Sequence, residues 1–196
     1  MDINKKGIRV LAIAESFRKE KTNSILSGIV MRKDLIIDGI IFGNATIGGD
    51  DATQNIIEMY KSLQRNDISF LLLNGLIISM YNIVDGKTIY ENIGIPVIAI
   101  TFNNSQGIEN SIKKHFPSNY NNKLENLKKL GKRNLVLLKT NKFLWIRIWG
   151  MKLDDAIKLL NSFIIQGSIP EPIKLAKLIS HAYLNTIYNI NKSRIG

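Results

Sequence analysis

The chain has 196 residues, 45% of them apolar and none a cysteine; that length buries one sizeable core and that composition excludes disorder, a disulfide framework and a thiolate metal site. Its 27 basic and 16 acidic residues leave a formal net charge of +11 at pH 7, which favours a polyanionic partner such as nucleic acid. No run approaches the ~20 apolar residues of a membrane span, so the expectation is a single domain over residues 1–196, cytoplasmic and without membrane contact.

The opening "MDINKKGIRVLAIAES" reads as a buried strand over 8–15 rather than a signal peptide: lysine-glycine interrupts the approach and no small-residue cleavage site follows. "NSILSGIVMRKD" and "LIIDGIIFGNATI" continue it as a three-stranded antiparallel meander that turns at Lys33-Asp34. Helical spacing then begins in "DDATQNIIEMYKSLQRN", with Asp50 or Asp51 as N-cap and Ile56, Ile57, Tyr60 and Leu63 as the apolar stripe. "ISFLLLN" is a strand buried on both faces, ending in Asn74 before Gly75. "DGKTIYENIG" predicts a short helix closed by Gly94, and "PVIAITF" a second buried strand.

"GIENSIKKHF" predicts a helix and "SNYNNKLENLKKLGK" a basic, weakly helical, mobile stretch. "NLVLL" and "KFLWIRIWG" predict a hairpin turning near Thr140-Asn141. "KLDDAIKLLNSFI" is an amphipathic helix that buries Leu153, Ile157, Leu160 and Ile164. The last helix carries Pro172 in its first turn, where a missing N–H costs little. Three antiparallel strands, a helix, two parallel strands with crossovers and more helix make an α/β fold with a mixed sheet flanked by helices, in the order of the ribonuclease H-like architecture. Fold alone does not establish function.

Positive charge concentrates in two places. Lys113, Lys114, Lys128, Lys129, Lys132 and Arg133 lie in one run, and Arg18 and Lys19 in an early loop; these are the candidate nucleic-acid contacts, set against a plain solubilising role. Period two puts Phe143, Trp145, Arg147 and Trp149 on one strand face, either stacking on bases or packing beneath a helix. His181 reads as a hydrogen-bonded core residue and His115 as a cation at a helix end.

"GDDATQNIIEMYKSL" (49–63), "LLLNGLIISMYNIVD" (71–85), "IGIPVIAIT" (93–101) and "IPEPIKLAKLISHAY" (169–183) resemble the archaeal endonuclease dU family, formerly a domain of unknown function and related to endonuclease V. The resemblance covers nearly the whole chain, and "MYNIVD" and "IPEPIKLA" are its more specific parts. It implies an endonuclease V-like, ribonuclease H-like fold and cleavage of a strand near a deaminated base. Carboxylates at neighbouring strand ends would hold Mg²⁺ or Mn²⁺ for that chemistry.

The departures from the family pattern fall on its acids. The family's first strand ends Gly-Ile-Asp-Asp-Gly, where this chain has Ala12, Ile13, Ala14, Glu15 and Ser16. The strand-four acid corresponds to Asn74, and Met151 stands where endonuclease V carries a histidine. The ligand set implied by the resemblance is therefore Asp51, Glu15 and Asn74, with Asp85 as a further catalytic candidate. Each has a structural alternative: Glu15 as a solvated strand end, Asp51 as a cap, Asn74 satisfying backbone groups at its turn, Asp85 as an N-cap. Glu15 replaces the lost ligand at Ala14 only if the strand bulges there.

The expected function is nucleic-acid binding, of DNA in the first place, with metal-dependent cleavage weakened or lost. The alternatives are an active Mg²⁺-dependent endonuclease acting near uracil or hypoxanthine, and a scaffold or interaction module. Self-association, or pairing with an active relative, accompanies the non-cleaving reading.

Overall fold

The computed structural model describes residues 3, 5, 7–102 and 108–193, side chains from 188 onward excepted. β1 (Arg9–Ser16), β2 (Asn23–Arg32) and β3 (Ile37–Thr46) form the meander, and α1 (Ala52–Ser62) leads from it to β4 (Phe70–Asn74). A two-residue hairpin follows, β5 (Ile77–Ile78) and β6 (Asn82–Ile83), then α2 (Gly86–Ile93) and β7 (Val97–Thr101). The helices α3 (Ile108–His115) and α4 (Tyr120–Lys129) precede the hairpin of β8 (Asn134–Leu137) and β9 (Phe143–Trp149). α5 (Leu153–Ser162) and α6 (Glu171–Ser193) complete the order.

The main sheet has seven strands in the order β3-β2-β1-β4-β7-β9-β8. β1, β4 and β7 are mutually parallel, and every other pairing is antiparallel. Both faces of the central strands are covered, which is why "FLLL" shows no alternation. Val10, Ala12, Ala14, Phe70 and Leu72 pack towards α5 and α6 with Leu159, Phe163 and Ala176. Leu11, Ile13, Leu71 and Leu73 pack on the opposite face with Ile56, Ile57 and Ile89 of α1 and α2.

Several sequence-level expectations change. α5 buries Ala156, Leu159 and Leu160, with Ile164 following, while Leu153 is exposed. The buried stripe therefore runs through Ala156, one position before Ile157, which is only partly buried. His181 is exposed, not in the core: α6 turns Ile173, Ala176, Ser180 and Leu184 inward, and His181 lies about 100° round the helix from Ser180. The segment expected to be mobile contains α4, which is anchored by Lys123, a fully buried lysine. The β5–β6 hairpin escapes the sequence pattern because its strands are too short to show a period. No helix among the described residues is long and apolar enough to cross a membrane.

Candidate nucleic-acid interface

β1 and β4 run parallel with Ala12 beside Leu72 and Ile13 beside Leu73. One step further, Ala14 and Asn74 stand together on the face towards α6, because side chains alternate along a strand. Pairing of β1 with β2 is continuous from Arg9↔Arg32 to Ser16↔Ile25, so there is no bulge. Glu15 therefore points to the opposite face, with Ile13 and Leu73, and does not take the place of Ala14. The Asn74 side chain makes no hydrogen bond among the described residues; Gly75, at φ 89, makes the turn by itself.

Glu15 is not the solvated strand end of the sequence reading. Its Oε1 accepts a hydrogen bond from the backbone N–H of Ser79 at 3.3 Å, and its Oε2 is buried with no hydrogen-bond partner among the described residues. Burial pushes the carboxyl above the usual range, against the opposing Ser79 hydrogen bond and the Lys177 charge. Ser79, Met80 and Tyr81 are three successive left-handed residues (φ 44, 54 and 68). The neighbourhood holds this strained turn in place: Ser79 also donates from Oγ to Ser24 Oγ at 2.7 Å and accepts from Gly48 N–H at 2.7 Å.

Asp51 occupies the N-cap position of α1 but makes no side-chain cap. Its Oδ2 accepts from Thr46 Oγ1 at 2.7 Å and Asn55 Nδ2 at 3.2 Å, and its Oδ1 from Thr46 N–H at 3.0 Å and Asn82 Nδ2 at 2.6 Å. Burial raises its pKa, and the hydrogen bonds from Thr46 and Asn82 more than offset this, leaving the carboxylate below its ordinary value. Fully buried Asn82 takes over the cap, its Oδ1 accepting from Ala52 N–H at 3.1 Å. Asp85 is an N-cap: its Oδ1 accepts from the backbone N–H of Lys87 and Thr88 at 2.9 and 3.1 Å.

A divalent cation fits this constellation poorly. The side chain at position 14 carries no oxygen, that of Asn74 offers a neutral one, Glu15 is on the other face, and Asp51 and Asp85 already accept several hydrogen bonds. Mg²⁺ needs charged oxygen ligands in near-octahedral array, and no group of three or more His, Asp or Glu among the described residues comes together closely enough to share an ion.

The basic residues converge better than the acids. A cavity of about 330 Å³ is lined by Glu15, Phe17, Lys19, Ser79, Tyr81 and His115. It joins the loop holding Arg18 and Lys19 to the end of α3, where Lys113 and Lys114 are exposed. Arg18 Nη2 donates to Asn185 Oδ1 at 2.8 Å, which fixes that loop on α6. Lys128, Lys129 and Lys132 are exposed on and after α4, and Arg133 is half-buried. Lys123, within the same run, is structural: its Nζ donates to Asp50 Oδ1 at 2.9 Å and to the carbonyls of Gly49 and Tyr81 at 3.0 Å.

The aromatic face of β9 divides. Trp149 packs against α2, where a Cβ on Gly86 would collide with its ring. Phe143 is 64% exposed, and Arg133 lies over the Trp145 ring at 5.2 Å. Sequence reasoning missed Ser79, Asn82 and the buried Lys123; the one signal available was the asparagine inside "MYNIVD", which the resemblance had already marked.

Residues 6–184 match the family model described as endonuclease dU. A UPF0215 protein of Pyrobaculum aerophilum is 33% identical over 185 residues, 94% of this chain and 98% of the relative. Among solved structures, a protein of unknown function from Archaeoglobus fulgidus superposes with a TM-score of 0.78 at 23% identity, covering 90% of this chain and 98% of that one. Endonuclease V of Ciona intestinalis, solved with a 24mer DNA containing an inosine followed by a ribo-adenosine, superposes with a TM-score of 0.60 at 15% identity, covering 92% and 87%. At those identities the two structures establish the shared fold. The family match extends over nearly the whole chain, and the chain belongs to the endonuclease dU family.

Proposed function

We propose that this protein binds nucleic acid, DNA in the first place, through the basic surface around the carboxyl end of its sheet, and that it does not support metal-dependent strand cleavage there. One observation carries the reading. Where β1 and β4 end side by side, the two positions that the family fills with acids hold the methyl of Ala14 and the amide of Asn74, and Glu15 is the one charged residue among the described lining of that crevice. Lys19 and His115, which line one cavity, with Lys113 and Lys114 on the last turn of α3, supply phosphate contacts. A neighbour of the same fold that was solved with DNA supports the same partner.

Fluorescence anisotropy with a labelled oligonucleotide tests binding. About four phosphate contacts give a log–log salt slope near −3.6, so affinity falls about a hundredfold between 50 and 200 mM salt. A flat salt response removes the reading and leaves the scaffold alternative. Cleavage is tested with Mg²⁺ or Mn²⁺ on strands containing uracil or inosine, with Asp51→Ala as control. The expected result is no product above that control; product from the native chain alone restores the active endonuclease. The buried Glu15 Oε2, which has no hydrogen-bond partner among the described residues, is the observation that favours this second reading.

A further inference from the structure

A separate cavity of about 520 Å³ opens beside the carboxyl ends of β4 and β7. Gly75 and Thr101 line it from the strand ends, α3 and α4 contribute Asn110 and Leu127, and Arg133 and Arg147 line it from the β8–β9 hairpin. Its volume is that of a small-ligand site, and its position is the usual one for a ligand in a sheet with parallel central strands.

Arg147 is the unexplained group. It is half-buried on β9, directly across from Ala99. Among the described residues its guanidinium makes a single hydrogen bond, Nε to the Gly131 carbonyl at 3.0 Å, and no ion pair. Burial, with Arg133's positive charge adding to it, holds its pKa below the ordinary value. A half-buried charge without a counter-charge carries part of the desolvation cost of a buried one, and the Arg133 charge adds repulsion to it. An anion between the two relieves both costs. Among the described residues Glu109 is the one carboxylate in the lining, and it is exposed and makes no ion pair with Arg147.

We propose that this cavity is a subsite for a phosphomonoester, the terminal phosphate of a nucleic-acid strand or of a free nucleotide, gripped by Arg133 and Arg147. Two planar guanidinium forks match the several oxygens of a dianionic phosphate. Thr101 and Asn110 add neutral hydrogen-bonding groups to the wall. A passing phosphodiester presents one charge and calls for an open groove, whereas a cavity walled by two helices and the sheet end admits a chain end. The inference stands apart from strand binding at the Lys19–His115 surface.

The test compares an internally labelled oligonucleotide carrying a 5′-phosphate, a 3′-phosphate or hydroxyl ends, by anisotropy at 150 mM salt. In parallel, a nucleoside monophosphate and its nucleoside are titrated by calorimetry. The phosphorylated form in at least one arm should bind about tenfold or more tighter than its hydroxyl counterpart. Arg147→Gln and Arg133→Gln should each bring that ratio close to one. Arg147→Gln also loses the Gly131 bond, so Arg133→Gln is the variant that keeps it, with a thermal melt to check folding. Preference for a phosphorylated strand alone identifies a strand end as the source; preference for the monophosphate alone identifies a free nucleotide. Equal affinity for phosphate and hydroxyl forms in both arms overturns the inference, as does a preference that survives both variants. Hydroxyl-ended strand binding can persist in either case, so failure of this subsite and failure of nucleic-acid binding remain distinguishable.

Discussion

At Glu15 the fold keeps a carboxyl where its charge is poorly solvated. Burial raises its pKa above the ordinary value, in spite of the Ser79 hydrogen bond and the Lys177 charge. Below about pH 4 the group is protonated in both folded and unfolded chains and contributes no pH dependence. As pH rises, the unfolded chain ionises first, so the folded state loses stability until its own higher pKa is passed. Glu15→Gln, which mimics the protonated acid, should therefore raise the melting temperature at pH 7, with a gain that vanishes towards pH 4. A variant less stable than the native chain at pH 7 would show that the ionised carboxylate is wanted. The neighbouring Ala14 and Asn74 make a second expectation. Were a Mg²⁺ ion bound with a dissociation constant of 0.1 mM, 10 mM Mg²⁺ would stabilise the chain by about 2.7 kcal/mol. The melting temperature should instead move by less than about 1 °C, measured by differential scanning fluorimetry with and without the ion.

Among the elements, α4 depends most on a single side chain. Its sequence is polar and its isolated helix would be marginal, yet Lys123 is fully buried beneath it. The ammonium satisfies two carbonyls and Asp50, and lies 4.7 Å from the centre of the Phe116 ring. These bonds fasten α4 to the loop before α1 and to the strained turn between β5 and β6. Lys123→Met keeps the apolar bulk but leaves both carbonyls without their donor. The expected cost is about 2–3 kcal/mol, with faster amide hydrogen exchange in α4 and unchanged protection in β1 and β4. Equal loss of protection across the sheet would mean that α4 unfolds only with the whole domain.

Across the whole molecule, a four-charge network closes the end of the sheet opposite the crevice. Arg65 Nη2 lies 2.9 Å from Asp38 Oδ2 and 2.8 Å from Asp67 Oδ2, and Arg9 pairs with both aspartates. It ties the start of β1, the second residue of β3 and the loop before β4, segments far apart in sequence. Hydrogen bonds from Arg9 and Arg65 hold Asp38 below the usual carboxylate range, and those from Arg65 do the same for Asp67. Lowered folded pKa values give stability that is present above the unfolded value near 4 and is lost as pH falls through the folded ones. Urea midpoints should therefore drop between pH 4 and pH 2.5, and Asp67→Asn should flatten that drop. An unchanged acid slope in the variant would assign acid unfolding to other carboxylates.

How far the sequence alone reaches differs between fold and site. The apolar run of the first strand with the Lys33-Asp34 turn, the fully apolar "FLLL" and "VIAI", Gly94 as a helix stop and Asn141 at a hairpin turn are local signals, so the order of elements along the chain could be read from them. Set against the pattern of the family the chain resembles, the absence of acids at positions 14 and 74 was equally legible, since a missing carboxylate needs no coordinates. Tertiary structure decided which face each neighbour takes. The unbroken β1–β2 register separates Glu15 from Ala14, Asn82 arrives from a distant hairpin to cap α1, and one lysine of a basic run turns inward while the others stay in water. It also decided that Arg133 and Arg147 share a cavity. Such pairings join residues whose separation along the chain carries no period. They depend on how the sheet twists and on which buried charge finds a partner, and no local pattern records either.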